Sequence, residues 1–224
     1  MNGHAATTSS WVMIRTLGLV SAISGLLIVA AYQATLPVIK ANKARALRQA
    51  IFEVVPGART VVTFQLQDDG TVQPVGDEGD RNTSIYAGYG EDKRLLGVAI
   101  EGQGQGYQDV IRVLYGYDPH REVIIGFKVL ESKETPGLGD KIGKDAGFLG
   151  QFKNLYAKLA QGGQALEHAF ELLRSAGGSR QPWHIHAITG ATVSSRAVNA
   201  LLNESTARML PAVKKNLGRF MEGR

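Results

Sequence analysis

A chain of 224 residues is long enough for one well-buried domain and an appendage, and its 44% hydrophobic and 20% charged content is that of a globular protein rather than a disordered one. With no cysteine, disulfides, iron–sulfur clusters and thiolate zinc sites are excluded. The net charge of +5 does not mark a nucleic-acid binder: Arg15, Lys40, Lys43, Arg45 and Arg48 stand in a stretch without Asp or Glu, and the other 20 basic residues balance 20 acidic ones.

Residues 16–39 carry no charge, and 17–36 are almost wholly apolar or small. About 20 helical residues cross the roughly 30 Å hydrocarbon core of a bilayer, and Trp11 and Tyr32 sit where interfacial aromatics belong. The run outlasts a signal-peptide core of roughly 7–15 residues. An uncleaved transmembrane helix over 16–39 is therefore expected after a tail of 1–15, with membrane lipid as its partner. More Lys and Arg follow the span than precede it, which by the positive-inside rule puts the rest of the chain in the cytoplasm. That rule is weakest for long translocated domains.

Beyond the span, Ala44, Leu47, Ile51 and Val55 are spaced as on a helix that stops at Pro56-Gly57, giving a stalk over 40–56. Alternation over 60–66 reads as a strand, 73–83 as a polar loop and 94–100 as another strand. The glycine-rich 102–106 lacks the context of a nucleotide fingerprint and reads as a mobile or close-packed loop. Residues 107–117 and 122–130 form an antiparallel hairpin about Asp118-Pro119-His120-Arg121. Phe148, Phe152, Leu155, Tyr156 and Leu159 predict an amphipathic helix over 145–160, with a second helical piece at 165–173. After a Gly177-Gly178 loop, a strand over 184–188 leads into a last helix, from about Ser195, interrupted or kinked near Pro211. The expected class is α+β, antiparallel strands with packed helices in a domain of 57–210, followed by a solvated tail of 211–224.

Two loops carry the chemistry. Glu134-Thr135-Pro136-Gly137-Leu138-Gly139-Asp140-Lys141 joins a fixed φ to two residues that permit positive φ, so its backbone can fold tightly around a flat ligand. In Thr189-Gly190-Ala191-Thr192-Val193-Ser194-Ser195, small residues and a hydroxyl precede a helix that Ser194 or Ser195 can cap. Such a helix start can bind an anion, and it can equally be an ordinary strand–turn–helix.

Following one membrane helix, in this order and spacing, the two motifs resemble the FMN-binding domain of the G subunit of Rnf ion-translocating electron-transport complexes, strongest over 106–198. The C subunit of the Na+-translocating NADH:quinone reductase is similar and shares both motifs. The resemblance implies a covalent FMN on Thr192, held through a phosphoester and installed by a flavin transferase using FAD and Mg2+. It implies that Thr135, Pro136, Gly137, Leu138 and Gly139 lie against the isoalloxazine ring, and that Thr189, Gly190, Ala191, Val193 and Ser194 surround the attachment point. Lys141 would neutralise the phosphate or the reduced flavin, or stand solvated. It also implies a single-pass protein of the bacterial inner membrane, its FMN domain on the periplasmic side and the other membrane subunits of the complex its partners. An electron-transfer subunit needs no catalytic residue of its own. The alternatives are the quinone-reductase C subunit and an anchored, non-redox module for a phosphate ligand. No metal site is expected: His184 and His186 share a strand face without a nearby carboxylate, and His4, His120 and His168 lack ligand spacing.

Overall fold

A computed structural model of the protein describes residues 10–76, 83–174 and 181–222. His4, most of the 1–15 tail, part of the 73–83 loop and Gly177-Gly178 lie outside them.

The expected span and stalk are one continuous helix, α1 (Ser10–Val54), which runs through Pro37. By length and composition it can cross a membrane, and its large apolar residues from Leu17 to Val29 are exposed. The chain divides into compact units of Met1–Ala46 and Leu47–Arg224. Ala50, Ile51 and Val54, which the sequence reading assigned to the stalk, are therefore buried residues of the second unit.

That unit is built on a seven-stranded antiparallel sheet: β1 (Thr60–Leu66), β2 (Val72–Val75), β3 (Ser84–Tyr89), β4 (Leu95–Gln105), β5 (Val110–Asp118), β6 (Val123–Glu131) and β7 (Leu155–Tyr156), in the order β2-β1-β3-β4-β5-β6-β7. The expected hairpin is β5–β6, its turn closed by Asp118 Oδ1, which accepts from the His120 and Arg121 N–H groups at 2.9 and 3.1 Å. Both faces of the central strands are covered. One packs against Ala50, Ile51, Val54 and Val55; the other carries the main core, with Val98, Ile100, Val113 and Tyr115 against Val198, Leu201, Leu202 and Met209. Gly126 of β6 seats the end of α1 so closely that a Cβ there would lie 2.5 Å from the Val54 carbonyl oxygen.

Several expectations need correction. The glycine-rich 102–106 is largely strand, because β4 continues to Gln105. Of the two expectations, mobile or close-packed, it meets the second: a Cβ on Gly104 would lie 2.8 Å from Leu201 Cβ. Part of the 73–83 loop is strand β2, and β3 was not anticipated at all. The helix expected over 145–160 shrinks to α2 (Ala146–Gly150) and a 3-10 turn, Gln151–Lys153, before β7 joins the sheet edge. Gly147 and Gly150 weaken a helix there, and Asn154, at φ −159°, ends it. The aromatics still form core, with Phe127 stacked on Phe152 at 4.3 Å and Phe148 edge-on to Phe152 at 5.1 Å. The piece expected to be helical over 165–173 is instead a run of bends, with Leu166 bridged to Leu159, and its end, β8 (Glu171–Leu173), pairs in parallel with β9 (His184–His186). Finally, α3 (Thr192–Lys215) runs through Pro211, and α4 (Leu217–Glu222) follows. The expected solvated tail thus buries Val213 and Phe220, the latter edge-on to Phe64 at 4.9 Å.

Candidate functional site

The turn carrying the threonine–glycine motif lies between β9 and α3. The Ala191 N–H donates to the Ile188 carbonyl at 2.9 Å, and Gly190, inside that turn, has φ +83°. A Cβ on Gly190 would meet open space, so the glycine serves the dihedral and leaves the outer side of the turn uncovered.

Helix α3 begins at Thr192, and no side chain caps it. This overturns the expected serine cap, because Ser194 and Ser195 are already within the first turn, buried and otherwise engaged. Ser195 Oγ donates to the Ala191 carbonyl at 2.9 Å and accepts from the Ile188 N–H at 3.1 Å, stapling the turn to the helix. Ser194 Oγ donates to Glu134 Oε2. Thr192 differs from both: it is half-buried, and among the described residues its hydroxyl has no hydrogen-bond partner. An uncapped helix start with unspent N–H groups favours an anion beside that free hydroxyl.

The proline–glycine loop is folded by its own groups. The Thr135 carbonyl accepts from the Leu138 N–H at 3.1 Å, and Asp140 Oδ1 accepts from the Gly137 N–H at 2.7 Å, with Gly137 at φ +78°. Lys144 Nζ pairs with Asp140 Oδ2 at 2.6 Å. That hydrogen bond, helped by the Gly137 N–H, holds the Asp140 carboxyl below its ordinary value despite some desolvation.

Gly139 packs this loop directly onto the helix start, since a Cβ there would stand 2.5 Å from Glu134 Oε2 and 2.6 Å from Ser194 Oγ. The structure therefore brings the two motifs together. Their outward residues, Leu138 (51% exposed) and Val193 (50%), present apolar surface to solvent. Pro136, Gly137 and Thr189 are exposed, Thr135 is half-buried, and Ala191 is buried.

Beside the turn lies an open cleft of about 550 Å³ lined by Lys141, Asp145, Gly147, Phe148, Gln151, His186, Ala187, Ile188 and Thr189. It takes in Lys141 and Thr189 of the expected residues, whereas 135–139 and Thr192 do not line it. Sequence reasoning missed Gln151. Its amide accepts from the His186 N–H at 2.7 Å and donates to the His186 carbonyl at 3.1 Å, clamping the strand that feeds the Gly190 turn. A long-range pairing of that kind has no local sequence signal. The parallel β8–β9 pair puts His184 within 3.4 Å of Glu171, a carboxylate that was not foreseen beside it. Among the described residues, no group of His and carboxylates is arranged to hold a metal.

An apolar helix of membrane-spanning length, an antiparallel sheet with a helix packed across it, and two loops meeting beside a free hydroxyl define a membrane-anchored protein with an FMN-binding domain. The FMN-binding domain family matches residues 106–207, which include both loops. The G subunit of an ion-translocating oxidoreductase complex from Methanosarcina acetivorans is 30% identical over 186 residues, 83% of this chain and 87% of that protein. Its counterpart in a proton-translocating ferredoxin:NAD+ oxidoreductase complex from Clostridium ljungdahlii is 26% identical, over 90% of this chain and 92% of its own. The protein belongs to the family of G subunits of ion-translocating oxidoreductase complexes. The fold is shared with NqrC of Shewanella oneidensis, with a TM-score of 0.62 over 81% of this chain and 99% of that one at 15% identity.

Proposed function

We propose that the protein relays electrons as the FMN-carrying, membrane-anchored subunit of an Rnf-type ion-translocating ferredoxin/NAD oxidoreductase complex, and that its FMN is joined by a phosphoester to Thr192. One observation carries the attachment point. Of the hydroxyls on the first turn of α3, those of Ser194 and Ser195 are buried and committed, whereas that of Thr192 is unpartnered among the described residues, at an uncapped helix start.

FMN supplies one- and two-electron transfer, which no side chain of this chain provides. The residues present fit such a group. The α3 N–H groups and Lys141 favour its phosphate electrostatically, and the positive-φ glycines leave the outer side of both loops open. Leu138 and Val193 offer apolar surface to a ring, while Gln151 and Ser195 keep the turn from yielding. In the attachment reaction expected of an FAD-using, Mg2+-dependent flavin transferase, the Thr192 oxygen replaces AMP on the phosphorus nearer riboflavin. Covalent attachment retains the cofactor where free FMN is scarce, which favours a domain on the periplasmic side of the inner membrane. The other membrane subunits of the complex are its electron-transfer partners.

The identity to G subunits favours this reading over the quinone-reductase C subunit, to which the likeness is one of fold. Denaturing gels test attachment. Protein made beside a flavin transferase should fluoresce as a flavin band, and Thr192→Ala should be dark. A fluorescent Thr192→Ala band would move the attachment elsewhere.

A further inference from the structure

Two buried carboxylates of this domain are satisfied in opposite ways. Glu101 is paired with the Arg112 guanidinium at 2.6 Å and accepts from the Tyr86 hydroxyl at 3.0 Å. Glu134, 5% exposed, has no cation partner among the described residues. Its Oε1 accepts from the Gln108 N–H at 3.0 Å, and its Oε2 accepts from the Ser194 hydroxyl. Glycines wall it in on both sides, since a Cβ on Gly106 would lie 2.5 Å from Oε1 and one on Gly139 would lie 2.5 Å from Oε2.

Burying a carboxylate without a cation is costly, and the positive end of α3 offsets part of that cost. The position joins three stretches distant in sequence: the β4–β5 turn, the proline–glycine loop and the attachment helix. Because Glu134 takes the Ser194 hydroxyl rather than a helix N–H, it ties the loop down without occupying the N–H groups that an anion at Thr192 would use.

We propose that Glu134 is a positioning residue, a latch that holds the proline–glycine loop and the attachment turn as one rigid unit and thereby fixes the ring of the attached flavin. The latch rests on the proposed flavin reading only in its last clause; the coupling of the two loops stands without the cofactor. Glu134 acts through Ser194 and the two loops, so its effect is local and conservative replacement rescues it. In Glu134→Gln the amide oxygen keeps the Gln108 N–H, and the amide nitrogen can donate to Ser194 Oγ.

The test compares full-length wild type, Glu134→Ala, Glu134→Gln and Ser194→Ala by hydrogen exchange on flavin-free protein, and by the fluorescence anisotropy of attached flavin. Glu134→Ala and Ser194→Ala should each speed exchange roughly tenfold or more at the hydrogen-bonded amides of Gly137, Leu138, Asp140 and Lys141 in the loop and of Ser195 in the helix start. The strands should keep their protection, and Glu134→Gln should stay near wild type. The attached flavin should lose anisotropy in Glu134→Ala while its denatured band stays fluorescent. If Ser194→Ala frees only its own helix turn and leaves 135–141 protected, the latch is refuted, even should Glu134→Ala fail to fold. Uniform loss of protection throughout the domain would equally overturn it, reducing Glu134 to general stability. A wild-type protein carrying no covalent flavin would defeat the attachment reading instead, and the exchange comparison would still decide the coupling.

Discussion

The Ser195 and Thr192 hydroxyls contribute unequally to stability, and the contrast can be measured. Ser195→Ala removes the donor to the Ala191 carbonyl and the acceptor of the Ile188 N–H, at 2.9 and 3.1 Å. The carbonyl keeps its helical bond from the Ser195 N–H at 2.9 Å. The half-buried Ile188 N–H loses its partner, which costs about 1–3 kcal/mol, and alanine's better helix propensity returns a few tenths. The net loss is about 2 kcal/mol, a fall in Tm of about 4–8 °C for a domain of this size. Thr192→Ala breaks no hydrogen bond and should stay within about 0.5 kcal/mol of wild type. Thermal melts of the flavin-free protein, followed by circular dichroism, test the pair. If Thr192→Ala destabilises as much as Ser195→Ala, the Thr192 hydroxyl is engaged within the fold and the argument for its availability fails.

Gly126→Ala would press a Cβ against the Val54 backbone, 2.5 Å from its carbonyl oxygen, and should cost about 1–3 kcal/mol in urea unfolding; unchanged stability would mean that α1 does not seat there. Asp140 is held below its ordinary 3.8 chiefly by its bond to Lys144. With the folded value depressed, its contribution is full above the unfolded value and is lost as pH falls through the folded one. The Gly137 amide signal should therefore move with acidification below about pH 4, and Asp140→Asn should abolish that step. The chain has no native cysteine, so Gln164→Cys reports orientation: labelling by an impermeant thiol reagent in intact spheroplasts fits a periplasmic domain, and labelling only after lysis refutes it.

The elements legible in sequence were those whose pattern matches a single period. Strand β1 was read at 60–66, and the β5–β6 hairpin was marked by its Asp-Pro turn. Strand β3 was invisible because all six residues are buried, which erases alternation. Phe148 and Phe152, four apart, fit a helix face and an aromatic cluster equally well; the glycines beside them and pairing with the β6 edge decided for the short turns. Both loops of the site were legible from composition, since proline and positive-φ glycine have local meanings. Their junction was not: Glu134 meets Ser194 across 60 residues and Gln151 meets His186 across 35, and no periodicity reports such pairs.

The most direct measurement of the central claim is the intact mass of the purified protein, followed by peptide mapping, after expression beside a flavin transferase. The account requires the mass of one FMN, less a water, located on Thr192 and lost in Thr192→Ala. An unmodified peptide across 189–195 in protein from a host that flavinylates other substrates would contradict it.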